Sequence, residues 1–138
     1  MFRAEDVLRW YLRLVGTVSL LALPCALMPF SWMDATHRWL GLGPLPAAPV
    51  VPYLARSLSL FYALLGGLLW TASFDLPRHR AMLSYVGSAM VLFGLTLCWV
   101  DFAAGLPKWW VAYEGPWDAM LGALILLLNR SVTRWTVS

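Results

Sequence analysis

Charged side chains are scarce in this sequence, at 12% of its 138 residues, about half the share of an average soluble domain. A water-soluble fold this small has a high ratio of surface to volume and needs polar residues to cover it. With 61% hydrophobic residues the chain would leave much of that surface apolar, so lipid is the expected solvent. Lysine is nearly missing: Lys108 stands against nine arginines, a bias that points to a GC-rich bacterial genome. The net charge is +3, and no basic run with interleaved aromatics marks a nucleic-acid partner. Cysteine is limited to Cys25 and Cys98, far apart and without CxxC or zinc spacing. They read as small buried hydrophobes, with a disulfide in an oxidising compartment left open. No Ser-His-Asp spacing, glycine-rich phosphate loop or paired acids for acid–base work appears, so no catalytic residue and no cofactor is implied.

Long apolar runs are what the sequence has in place of charge. Four are present, over 12–30, 53–74, 82–102 and 116–131, and a bilayer core of about 30 Å takes about 20 helical residues. The fourth is short and is expected to borrow length at both ends. Glu5 and Asp6 before the first run, Arg13 inside it, and the lack of a small-residue cleavage site read as an uncleaved anchor rather than a signal peptide. The expected fold is all-α: an integral membrane, antiparallel four-transmembrane-helix bundle forming one domain over 1–138.

Arginine placement orients it. Arg3, Arg9, Arg13, Arg78, Arg80, Arg130 and Arg134 fall at the termini and the second loop, against Arg38, Arg56 and Lys108 on the other side. By the positive-inside rule both termini are expected in the cytoplasm of a bacterium, with the chain in its inner membrane. The outer side then carries Trp32, Trp39, Trp99, Trp109, Trp110 and Trp117, more rings than an even aromatic belt would place there. Ser31 and Asp34 suggest a capping box that opens a short interfacial helix over 32–40, closed by Gly41 and Gly43. Asp34 and Arg38 would pair at i,i+4 on its wet side. Pro44, Pro46, Pro49 and Pro52 would hold the following chain extended, and Glu114-Gly115-Pro116 reads as the start of the last helix.

Small residues should let the helices approach, since lipid supplies no hydrophobic drive between them. The rows are Ser59, Ala63 and Gly67 on the second span; Ser84, Gly87, Val91, Gly94, Cys98 and Asp101 on the third; and Asp118, Gly122, Ile125 and Asn129 on the fourth. Pro24 would kink the first.

Several stretches resemble a family of small four-span bacterial membrane proteins that is itself uncharacterised. They are Trp32-Met33-Asp34 with His37-Arg38-Trp39-Leu40-Gly41-Leu42-Gly43-Pro44-Leu45-Pro46; Tyr53-Leu54-Ala55-Arg56-Ser57; Gly66-Gly67; and Asp101 through Gly105, Pro107, Trp109-Trp110 to Glu114-Gly115-Pro116. The layout is also similar to the DoxX-like group. The resemblance implies a shared four-helix fold and carries no activity with it.

Ionisable groups at membrane depth are costly and tend to serve a function. Arg56 and Asp101 fit that description. Each lies about 27 Å along its helix from the inner end, so they should face each other and pair. With Trp109, Trp110, Glu114 and Asp118 they form a candidate ligand-binding set for an amphipathic molecule such as a lipid or quinone. A structural ion pair that fixes helix register is the competing reading. Asp34 and His37, with Glu114 or Asp118, are the weaker candidates for a metal site. The expected partners are membrane lipid and that amphipathic ligand, with a homo-oligomer or a membrane-protein complex left open.

Overall fold

Among the described residues four helices are long and apolar enough to cross a bilayer, over Ala4–Ala26, Val50–Ala72, Leu76–Ala103 and Lys108–Val132. The shortest of these has 23 residues, about 35 Å of helix at 1.5 Å per residue. That is the layout of a multi-pass membrane protein. The computed structural model describes residues 3–135, with side chains through residue 132; the Arg134 side chain, one of the seven that orient the chain, lies outside them. Its helices are α1 (Ala4–Leu20), α2 (Ala22–Ala26), α3 (Phe30–Trp39), α4 (Val50–Ala72), α5 (Leu76–Ala103) and α6 (Lys108–Trp135). No strand occurs among the described residues. Large apolar side chains stay exposed along the long helices, Phe61, Leu92 and Leu127 among them, as a lipid-facing surface requires.

Local chemistry explains where the elements break. Pro24 has no N–H for the carbonyl of Leu20, and its ring crowds that carbonyl; the first span is interrupted at Leu21, between α1 and α2. The outer-loop helix starts two residues earlier than the capping-box pattern suggests. Its N-cap is Pro29, with no side-chain cap, and Ser31 lies inside the helix. Its end follows the expectation: Gly41 takes φ 77°, and the amides of Gly41 and Leu42 return to the carbonyls of Arg38 and His37, a Schellman motif that glycine makes cheap. Pro52 lies in the first turn of α4 rather than in the extended linker, where its missing N–H has no helical acceptor in any case.

The start of α6 is the largest departure. The helix begins at Lys108, and Pro116 sits inside it instead of at its first position. Pro107 opens it by accepting from the amides of Trp110 and Val111. The loop before it is another Schellman motif, with Gly105 at φ 70° and the amides of Gly105 and Leu106 bonded to the carbonyls of Phe102 and Asp101. The Gly105-Leu106-Pro107 stretch thus stops one helix and starts the next.

The chain divides into two units. One holds the start of α1 with α5 and α6, from residues 1–12 and 72–138; the other holds residues 13–71. In the first, α5 and α6 run antiparallel at backbone contact. A Cβ on Gly122 would meet the Gly87 carbonyl at 2.6 Å, and one on Gly87 would meet the Gly122 carbonyl at 3.0 Å. Near one end Asn129 donates to the Arg80 carbonyl at 3.1 Å and to Ser84 Oγ at 3.0 Å. Leu8 and Leu12 of α1 are fully buried, and Tyr11 donates its hydroxyl to the Leu121 carbonyl at 2.9 Å.

In the second unit α1 and α4 run antiparallel, with Gly16 against Gly66: a Cβ on Gly66 would meet the Gly16 carbonyl at 2.6 Å. Gly67, expected in the seam, faces open space. Trp70 fixes this rotation. It donates Nε1–H to Thr17 Oγ1 at 3.1 Å, and the Arg13 guanidinium lies 5.2 Å from its ring centroid.

Candidate functional site

Five of the six expected site residues fall in the α5–α6 unit, at the end bearing their connecting loop. Asp101 occupies the last turn of α5, pinned there by the Schellman motif that uses its carbonyl. Only 4% of its surface is exposed, and its Oδ2 has no hydrogen-bond partner among the described residues. A buried carboxylate oxygen without a donor costs the desolvation of that group, about 1–3 kcal/mol or more. Glu114 and Asp118, one turn apart on α6, are half-buried. Glu114 feels the charge of Asp101, and Asp118 that of Glu114. None of the three forms an ion pair among the described residues.

Aromatic rings flank the acids. Trp110 donates its indole N–H to Glu114 Oε2 and is tilted at 59° against Trp109, ring centroids 5.3 Å apart. Tyr113 and Trp117 stack at 5.6 Å, a pair the sequence reasoning missed. Its signal was available: both the Tyr113–Trp117 and the Trp110–Glu114 pairs are spaced i,i+4. A start of α6 at Pro116 leaves Trp110, Tyr113 and Glu114 outside the helix and hides that spacing.

Arg56 belongs to the other unit. Its side chain is exposed, and an Nη2–H donates to the Met28 carbonyl at 3.1 Å, tying the start of α4 to the turn after α2. The expected pair with Asp101 would have to join the two units. Within its own unit Arg56 acts as a brace.

Asp34 and His37 also brace. Asp34 Oδ1 accepts the Leu45 amide at 2.7 Å, and Oδ2 accepts Arg38 Nε at 2.9 Å. Those bonds, with the Leu45 amide first, hold its carboxyl below the usual carboxylate range. The His37 Nδ1 lies 2.8 Å from the Gly43 carbonyl; a carbonyl only accepts, so that nitrogen carries the proton. Both residues hold the 40–45 turn onto α3, and no cluster of three metal-ligating side chains occurs among the described residues. The two thiols are free; Cys25 is exposed, and Cys98 is half-buried.

The chain matches no family model, no curated protein and no solved structure. The chemistry of its own residues is therefore the ground for a functional reading. What those residues present at this end is a buried carboxylate oxygen on Asp101, Glu114 within reach of its charge, and an indole bonded to Glu114.

Proposed function

We propose that this is a multi-pass protein of a bacterial inner membrane, with both termini cytoplasmic, that binds an amphipathic lipid-class molecule at the outer end of its α5–α6 pair. The observation that carries the reading is the buried Oδ2 of Asp101, which accepts no hydrogen bond among the described residues, with Glu114 close enough to feel its charge. An acceptor-rich site of this kind selects a headgroup that donates, such as an amine or a polyol. A quinone's carbonyls accept and suit the site poorly, whereas its reduced hydroxyl form donates and fits. Trp109, Trp110 and Trp117 would lie along the apolar part, as aromatic side chains do where one end is wet and the other dry. Shared fold with the small four-span bacterial family remains part of this reading, on the motifs quoted above.

A second reading, an accessory subunit of a membrane complex, draws on Gly67. With nothing opposite a Cβ there, the α4 surface has a notch of the kind that helices of another chain fill.

Native mass spectrometry of the protein extracted in mild detergent tests the first reading. The wild type should carry a donor-bearing lipid, and Asp101→Asn should lose it while eluting and melting as a folded protein. Equal occupancy in the wild type and in the Asp101→Asn, Glu114→Gln, Asp118→Asn triple variant would remove the site. Orientation is tested separately, by a C-terminal reporter that is active on one side of the membrane only.

A further inference from the structure

The opposite end of the α5–α6 unit carries two arginines, Arg9 and Arg80, whose Nε–H groups are buried without a partner among the described residues. Local partners are at hand and are not used. Glu5 precedes Arg9 by one turn, the spacing of a helical ion pair, yet no Glu5–Arg9 pair forms. Asp75, near Arg80, spends Oδ1 on the Arg78 amide as the N-cap of α5.

Both guanidinium groups belong to the same end of the unit. Tyr11 reaches the Leu121 carbonyl, so α1 packs on α6, and because successive spans alternate in direction its start points to the end that holds Asn129. There Asn129 holds the carbonyl of Arg80. Helical side chains lean toward their own N-terminus, which carries both arginine heads to the end where α1 and α5 begin. A guanidinium is always charged and presents its donors in a planar fork. With Nε–H buried and unpaired, that side of the fork calls for an acceptor that the described residues do not supply.

We propose that Arg9 and Arg80 bind the phosphate group of an anionic phospholipid at this end of the α5–α6 unit. Phosphate is the acceptor that the arginine fork matches with two hydrogen bonds, and a membrane presents it at headgroup depth. The site is separate from the acidic one: its charge is opposite, and it sits at the other end of the same helices.

The experiment uses the full chain in nanodiscs of phosphatidylcholine alone or with added phosphatidylglycerol. Native mass spectrometry then reads the retained anionic lipid. The wild type should retain phosphatidylglycerol over phosphatidylcholine, and Arg9→Gln with Arg80→Gln should weaken that retention about tenfold or more, since each charge-assisted bond is worth over 1.4 kcal/mol. Arg78→Gln removes an exposed arginine two residues away and should change little. If it costs as much as Arg80→Gln, the effect is diffuse charge and the site does not exist. Arg9→Lys with Arg80→Lys keeps charge and fold while removing Nε–H, and should recover only part of the retention; full recovery would overturn the role of the fork. Inorganic phosphate, added to delipidated protein in neutral detergent, separates the sources. If it raises the melting temperature as much as phosphatidylglycerol does, the site takes free phosphate instead of a lipid.

Discussion

The α5–α6 pair and the α1–α4 pair are both antiparallel helices joined at glycine, yet they hold together by different means. In α5–α6, small residues recur along the whole contact: Gly87 with Gly122, Gly94 with Gly115 and Ala119, and Ser84 with Asn129. In α1–α4 a single close point, Gly16 with Gly66, is supplemented by Trp70, which takes Thr17 on one side and Arg13 over its ring. The first pair is a continuous seam. The second is a pivot with a clamp. A seam fixes register along its length and can carry a buried acid at one end, while a clamp fixes one rotation only.

Volume at the seam is the harshest test of that contrast. Gly122→Val should destabilise by about 3 kcal/mol or more, because the atoms it meets are the Gly87 carbonyl and the Val91 amide, which cannot step aside as a side chain can. Gly67→Ala should be neutral or stabilising by up to about 1 kcal/mol, since alanine favours helix and nothing lies opposite. Thermal unfolding in detergent measures both. A Gly67→Ala protein as damaged as Gly122→Val would mean that Gly67 as well as Gly66 lies at a helix contact.

How much of this was readable beforehand also divides along the two pairs. The α5 and α6 rows of small residues stand three and four apart, and the structure uses both. On α4 the same reasoning chose Ser59, Ala63 and Gly67, one residue away from the Gly66 that makes the contact. Two adjacent glycines give no local reason to prefer either; the preference comes from Trp70 meeting Thr17, a contact 53 residues distant. The four spans were plain because apolar length is a property of each segment alone. The start of α6 was not, because Pro116 looks like a first helical position until Pro107 is seen opening the helix and Gly115 packing beside Cys98. For the site, the acids and tryptophans were found as residue types. That Asp101 would be buried and undonated depends on α6 closing over it, which no local pattern encodes.

Polar groups inside the seam should show the next largest effects. Asn129→Leu removes two hydrogen bonds and leaves the Ser84 hydroxyl without its donor, at about 1–3 kcal/mol. Pairing it with Ser84→Ala should recover part of that loss in a double-mutant cycle; strict additivity would show that the bond carries no energy. At the other end of the seam the sign should reverse. Asp101→Asn relieves a buried carboxylate and should raise the stability of ligand-free protein by about 1 kcal/mol or more while abolishing ligand retention. Arg56→Gln, made at an exposed brace, should cost about 1 kcal/mol or less. A cycle between the two settles the expected pairing: coupling near zero excludes it, and coupling above about 1 kcal/mol requires it.

The smallest effect expected is a pH response confined to the α3 turn, which belongs to neither seam nor clamp. Asp34 accepts the Leu45 amide and the Arg38 guanidinium, so its folded pKa lies below the ordinary value. A depressed carboxyl pKa contributes stability that is present above the unfolded value, about 3.9, and is lost as pH falls through the folded one. The contribution is therefore complete at neutral pH and fades only in acid. Because the group is partly open to solvent, screening keeps the change local. Hydrogen exchange at the Leu45 amide, corrected for intrinsic acid dependence, should quicken as pH drops below about 4, while amides in the α5–α6 seam stay protected. Asp34→Asn keeps an oxygen for Leu45 but carries no charge. It should exchange at one faster, pH-independent level at that amide. If wild type and variant exchange alike across the range, the turn is held by Gly41, Gly43 and His37, and the Asp34 charge contributes nothing.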